Sequence, residues 1–190
     1  MNGKCKTMTL RGSWSQEPCK VGDFHRILSY ESPDRTKAWA LKGAWVWPKE
    51  AIGDWGVSAQ DRDNAFQYWS ALWTDTSDNQ NIQAPLDCSE SRQIAWLENG
   101  YELTAEVTSC MGDFLSNWRR GGFLDDSEML IDLDRIITND LFVTVQYTKE
   151  FGDNTPTIEW NYFVVLEEIN ISPTEGILQQ LKGIGQSINS

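Results

Sequence analysis

Residues 38–47 constrain the fold more than any other part of the chain. On an extended backbone Trp39, Leu41, Trp45 and Trp47 share one parity and Ala38, Ala40, Ala44 and Val46 the other, so both faces are apolar and one is bulky. A strand of this kind is covered on both sides, or packs one side against another subunit. Pro48, which lacks an amide hydrogen, ends it.

Around this strand, short segments rich in β-branched and aromatic residues recur between turn-forming clusters, the pattern of antiparallel strands in a sandwich or barrel. Segments 7–12, 23–30, 65–74, 129–134, 141–148 and 157–169 read as strands. Helix competes with strand over 65–74, but Phe66, Tyr68, Trp69 and Trp73 favour strand. Asn99-Gly100 between the runs 93–97 and 101–107 predicts a β-hairpin. A second hairpin connection is expected at 150–154, between 141–148 and 157–169. In the final strand Ile158, Trp160, Tyr162, Val164 and Leu166 share one face, while Phe163 and Val165 depart from an otherwise polar opposite face. Segments 50–64 and 75–88 read as loops and 111–126 as irregular.

The period changes after Ile171. Ser172-Pro173-Thr174-Glu175 has the form of a capping box, with the serine accepting from the amide three residues on and proline suited to the first turn. Ile177, Leu178, Leu181, Ile184 and Ile188 then form one helical stripe, which predicts an amphipathic helix over 172–188. Gly183 and Gly185 each weaken it by about 1 kcal/mol relative to alanine, so its order depends on docking the stripe. Its own sheet and a neighbouring subunit are equally good surfaces for that.

A chain of 190 residues fits one domain, 1–190, able to bury most of its apolar surface. Sixteen Lys and Arg against 28 Asp and Glu leave a formal charge of -12, which argues against a broad duplex-binding face. Nucleic-acid contact is expected to be weak or absent, confined at most to the early basic residues Lys4, Lys6 and Arg11. No secretory h-region and no apolar run long enough for a membrane span is present, so the chain is expected to be soluble when made. Cys5, Cys19, Cys88 and Cys110 form no Cys-x-x-Cys pair and have only His25 for company; free thiols are expected, with no metal site and no cofactor.

The same scarcity of histidine disfavours base-activated nucleophiles, and His25 on a strand reads as a packed or surface residue. Carboxylates such as Asp61 with Asp63, Asp132 with Asp134, or Glu167 with Glu168 keep a small glycoside hydrolase in view, but acidic residues are too abundant for such pairs to mean much. The expectation is that the chain is not an enzyme. Trp45, Trp47, Trp55, Trp69 and Trp73 fit either a sandwich core or stacking platforms for sugar rings, and the second use makes a lectin-like carbohydrate-binding module the alternative. Trp55 and Trp118, in expected loops, are the better candidates for exposed contact with a partner.

Several runs carry a resemblance. Ser29-Tyr30-Glu31-Ser32-Pro33 followed by Ala38-Trp39-Ala40-Leu41-Lys42, then Arg92-Gln93-Ile94-Ala95-Trp96, Asn139-Asp140-Leu141-Phe142-Val143, and the stretch from Trp160-Asn161-Tyr162-Phe163 to Gln179-Gln180-Leu181-Lys182-Gly183 resemble uncharacterised, capsid-like structural proteins of small marine viruses and bacteriophages. The resemblance spans most of the chain and carries over no catalytic residue. It implies an antiparallel, jelly-roll-like β-sandwich, for which nine expected strands and a terminal helix suffice. It also implies a virion subunit made in the host cytoplasm, whose partners are copies of itself in a symmetric assembly and other virion proteins. The acidic balance departs from shell proteins with a basic arm, which leaves an outer, decorating or spike role open beside the shell.

Overall fold

In a computed structural model, the described residues form ten strands in chain order: β1 (Thr7–Gln16), β2 (His25–Leu28), β3 (Lys37–Pro48), β4 (Ala65–Trp73), β5 (Gln93–Leu103), β6 (Leu115–Asn117), β7 (Leu130–Ile131), β8 (Ile136–Ile137), β9 (Leu141–Lys149) and β10 (Ile158–Asn170). A short helix, α1, covers residues 173–178, with Leu181 also helical. The structure describes residues 6–17, 24–31, 36–49, 65–74, 92–103, 115–117, 128–132, 136–149, 157–178 and 181.

One sheet has the order β1-β10-β3-β8, and the other runs β2-β9-β4-β5-β6, with β7 also on β5. The pairing nests from the outside inward. β1 pairs with β10, β2 with β9, β3 with β8, and β4 with β5, all antiparallel. This is one long hairpin of eight principal strands rolled over itself, and the roll is closed within each sheet by β10 against β3 and β9 against β4. An all-β sandwich with jelly-roll pairing is the result, as the sequence leads one to expect.

The two sheets meet through the inward parity of each strand. Tyr68, Leu72, Val143, Val145 and Tyr147 from one side oppose Val46, Ile158, Trp160, Val164 and Leu166 from the other, all fully buried. Trp160 lies at the centre, with ring centroids 4.8 Å from Tyr68 and 5.7 Å from Tyr147. Both tyrosines also tie the sheets together through polar bonds. Tyr147 Oη donates to the Gln16 carbonyl at 2.9 Å, and Tyr68 Oη to the Val46 carbonyl at 3.3 Å. Buried hydroxyls of this kind keep a partner because leaving them without one costs about 1–3 kcal/mol.

One side of the sandwich is laced by the segment 128–132. Met129 N donates to the Ala44 carbonyl on β3 at 2.8 Å, and two residues later Ile131 stands opposite Ala95 on β5; Asp132 N then donates to the Ile94 carbonyl at 2.9 Å.

Three sequence expectations change. Asn99-Gly100 makes no hairpin: β5 runs unbroken from Gln93 to Leu103, with Asn99 opposite Tyr68 and Gly100 opposite Gln67 on β4. Asn99 is buried and its Nδ2 donates to Tyr68 Oη at 3.4 Å. A full-length neighbouring strand and a buried side-chain bond outweigh the local turn preference. The second expected hairpin also fails, because β9 and β10 belong to different sheets.

The third change lies within β3. Val165 stands opposite Gly43 but Leu166 opposite Leu41, so Lys42 is an extra residue on β3. This β-bulge reverses the parity. Trp39 and Leu41 point inward before it and Ala44 and Val46 after it, which leaves Trp45 and Trp47 on the outer face. A Cβ on Gly43 would come 2.7 Å from Cζ3 and closer still to Cη2 of the Trp45 ring, which lies over it, so a larger residue there has to displace that ring. β6, inside the stretch expected to be irregular, and the two-residue β8 are further elements without a sequence signal of their own.

Candidate interaction surfaces

The C-terminal helix begins as its capping residues predict. Glu175 N donates to Ser172 Oγ at 3.2 Å, and Gly176 N to the Ser172 carbonyl at 3.1 Å. Ile171 anchors the entry, buried and with its amide bonded to the Thr36 carbonyl at 2.9 Å. The described residues of the stripe beyond it are left only partly covered. Ile177 is 42% exposed, and Leu178 and Leu181 are each 54% exposed. Of the expected contact residues, Ile184, Ile188, Trp55 and Trp118 lie outside the described residues, as do Lys4, the four cysteines and Asp61, Asp63 and Asp134.

A second surface is the outer face of the four-stranded sheet. Trp45 and Phe163 pair across β3 and β10 with ring centroids 5.5 Å apart, and Trp47 stands opposite Asn161. With Val165 these form a partly exposed apolar patch. Phe163 and Val165 are the two residues that broke the expected polar face of the last strand, and Gly43 within a strand pattern is a recognised bulge signal. Those two signs together were sufficient to find the patch; neither alone was.

Ion pairs frame it. Lys42 Nζ lies 2.7 Å from Glu167 Oε2 and Lys49 Nζ 2.5 Å from Glu159 Oε1. The bond from Lys49, aided by one from Ser13 Oγ at 2.9 Å, holds the Glu159 carboxyl below its ordinary value, because both donors favour its charged form. The described residues of β1, β3, β8 and β10 and their flanks carry five basic residues (Lys6, Arg11, Lys37, Lys42, Lys49) and four acidic ones (Glu17, Glu159, Glu167, Glu168). In a chain of charge -12 this sheet is close to neutral, and the acidity lies elsewhere.

The other candidates resolve into packing. His25 stacks on Trp14 with centroids 5.6 Å apart and planes 4° from parallel, and also neighbours Tyr162, so it is a packed residue joining β2 to the facing sheet. Trp73 is fully buried, edge-on to Phe24 at 5.4 Å, and serves no stacking platform. Trp69, on the outer face of the larger sheet, keeps partial exposure. Glu167 and Glu168, adjacent on β10, point to opposite faces and are each committed to a lysine: Lys42 for the first and Lys37, at 3.4 Å, for the second. They do not converge on a shared substrate position. Lys6 Nζ lies 5.9 Å above the Trp39 ring, and Arg11 stands exposed on the outer face of β1; the two form no basic cluster. No helix among the described residues is long and apolar enough to cross a membrane.

Compared with protein-family models, with curated proteins and with solved structures, the chain gives no match.

Proposed function

We propose that this chain is a structural subunit of a virion shell, which acts by association of its copies and performs no catalysis. The observation that carries the reading is a jelly-roll sandwich whose terminal helix leaves Ile177, Leu178 and Leu181 in solvent. Jelly rolls are the building unit of many viral capsids, and closed shells need subunits with apolar, specific contact surfaces. An isolated helix of this length is marginal, so a neighbour that covers the stripe gives it a reason to persist. Copies and other virion proteins are the partners.

The test is the mass of the native particle together with electron microscopy of purified protein over a wide range of concentration and salt. Assemblies of many copies are expected. Protein that remains monomeric in every buffer would overturn the reading.

Jelly rolls also serve as lectin domains, and one observation favours that second reading: Trp47 sits beside Asn161 on an outer sheet face, pairing a stacking surface with an amide. A glycan array separates the two. Glycan binding that disappears in Trp47→Ala supports the lectin-like role, and a blank array removes it.

A further inference from the structure

Edge strands expose unpaired amides and carbonyls, and proteins normally blunt them by shortness, bulges, proline or charge. Three edges here follow that rule: β8 has two residues, β6 three, and β2 four with a register shift between Arg26 and Leu28. β1 does not. Its ten residues pair with β10 without a single shift and contain no proline; Arg11 is its only charge. Among the described residues its other edge has no partner strand. Met8 and Leu10, although directed inward, remain only partly buried at this open side.

We infer that β1 pairs with β1 of a second copy, antiparallel about a two-fold axis, so that the two four-stranded sheets join into one of eight. This deepens the self-assembly reading above by naming one contact between copies. An isologous pairing needs only the same strand twice, and it uses the near-neutral sheet of an acidic chain, where repulsion between copies is least. The register follows from the side chains. Inward residues must oppose inward residues, which excludes every pairing shifted by one. A two-fold at Arg11 would oppose like charges, which destabilises a ladder. The longest remaining register is centred on Gly12. It sets Leu10 opposite Trp14, Thr9 opposite Ser15, Arg11 opposite Ser13 and Met8 opposite Gln16, each pair twice. At the centre, Tyr162 Oη would lie 2.6 Å from a Cβ on Gly12, so the ring of the neighbouring strand already fills the space that a side chain there would need.

Charge reversal across the Thr9–Ser15 pair tests both the contact and its register. Both side chains are on the outer face of β1, where substitution leaves the core intact. Thr9→Lys/Ser15→Lys opposes like charges twice and is expected to raise the dissociation constant of the pair about tenfold or more. Thr9→Asp/Ser15→Lys opposes unlike charges and is expected to restore association. The readout is sedimentation-velocity mass of the full chain, with circular dichroism to verify that each variant is folded. If the double-lysine variant associates like the unmodified chain, or the Asp/Lys variant fails to recover, the β1 contact is overturned while the shell reading stands. A chain that is monomeric throughout overturns both. A chain that halts at two copies, with the expected response of the variants, supports the contact and counts against the shell.

Discussion

The bulge at Lys42 makes opposite predictions for two tryptophans that simple alternation treats alike. Trp39 is 4% exposed, with Tyr30 edge-on at 6.0 Å and Lys6 above the ring. Trp39→Ala removes an indole from a closed space, and a Trp→Ala change in such a site costs about 3–5 kcal/mol, the sum of lost transfer and a residual cavity. Trp45 lies on the outer face against Phe163 and Gly43, where the opening left by Trp45→Ala joins solvent. Only the transfer term and an aromatic pair worth about 0.5–1.5 kcal/mol are lost there, roughly 1–2.5 kcal/mol together. At about 2–4 °C per kcal/mol for a chain of this size, Trp39→Ala is expected to lower Tm by about 6–20 °C and Trp45→Ala by about 2–10 °C. Urea unfolding of both variants, followed by far-ultraviolet circular dichroism at a concentration where the protein is monomeric, checks the ordering. Equal losses would refute the reversed parity and restore Trp45 to the interior.

Two further outcomes follow from polar groups withdrawn from water, partly for Tyr162 and fully for Asn99. Burial pushes the Tyr162 hydroxyl above its ordinary value of 10.0, so the folded state holds this proton more tightly than the unfolded chain; the associated stability is present below pH 10 and lost as pH rises through the folded value. Tyr162→Phe is therefore expected to flatten the alkaline limb of a stability-against-pH curve, and an unchanged slope above pH 10 refutes the assignment. Asn99→Ala removes the amide that donates to Tyr68 Oη inside the core and is expected to cost about 1–3 kcal/mol in urea unfolding, whereas an asparagine in a solvent-exposed hairpin turn would cost a few tenths at most.

How much of this fold was legible in the sequence depends on whether the deciding interaction was local. Strand positions were: the segments around 7–12, 38–47, 65–74, 141–148 and 157–169 each carry their own alternation or aromatic density and each contain a strand. The helix start was as well, because Ser172 and the amide of Glu175 are three residues apart. Pairing was not. The hairpin predicted at Asn99-Gly100 lost to β4, a strand more than twenty residues earlier, whose Tyr68 needs the Asn99 amide. No window around residue 99 contains that information.

The candidate surfaces divide along the same line. The stripe of Ile177, Leu178 and Leu181 was legible as amphipathic, but whether the chain's own sheet covers it is a tertiary fact, and the structure leaves it exposed. Leu130, 63% exposed on the lacing segment, lies in the expected strand 129–134, but Met129, Leu130 and Ile131 are all apolar, so no alternation says which of them faces solvent. The edge of β1 is invisible in sequence for a deeper reason. Thr7–Gln16 alternates like any half-buried strand, and nothing in its residues says whether one neighbour or two will flank it. Only the nested order of the roll, which sends the first strand to the rim and seats the last between it and β3, leaves β1 with an open edge among the described residues, blunted by no bulge or proline and by the single charge of Arg11.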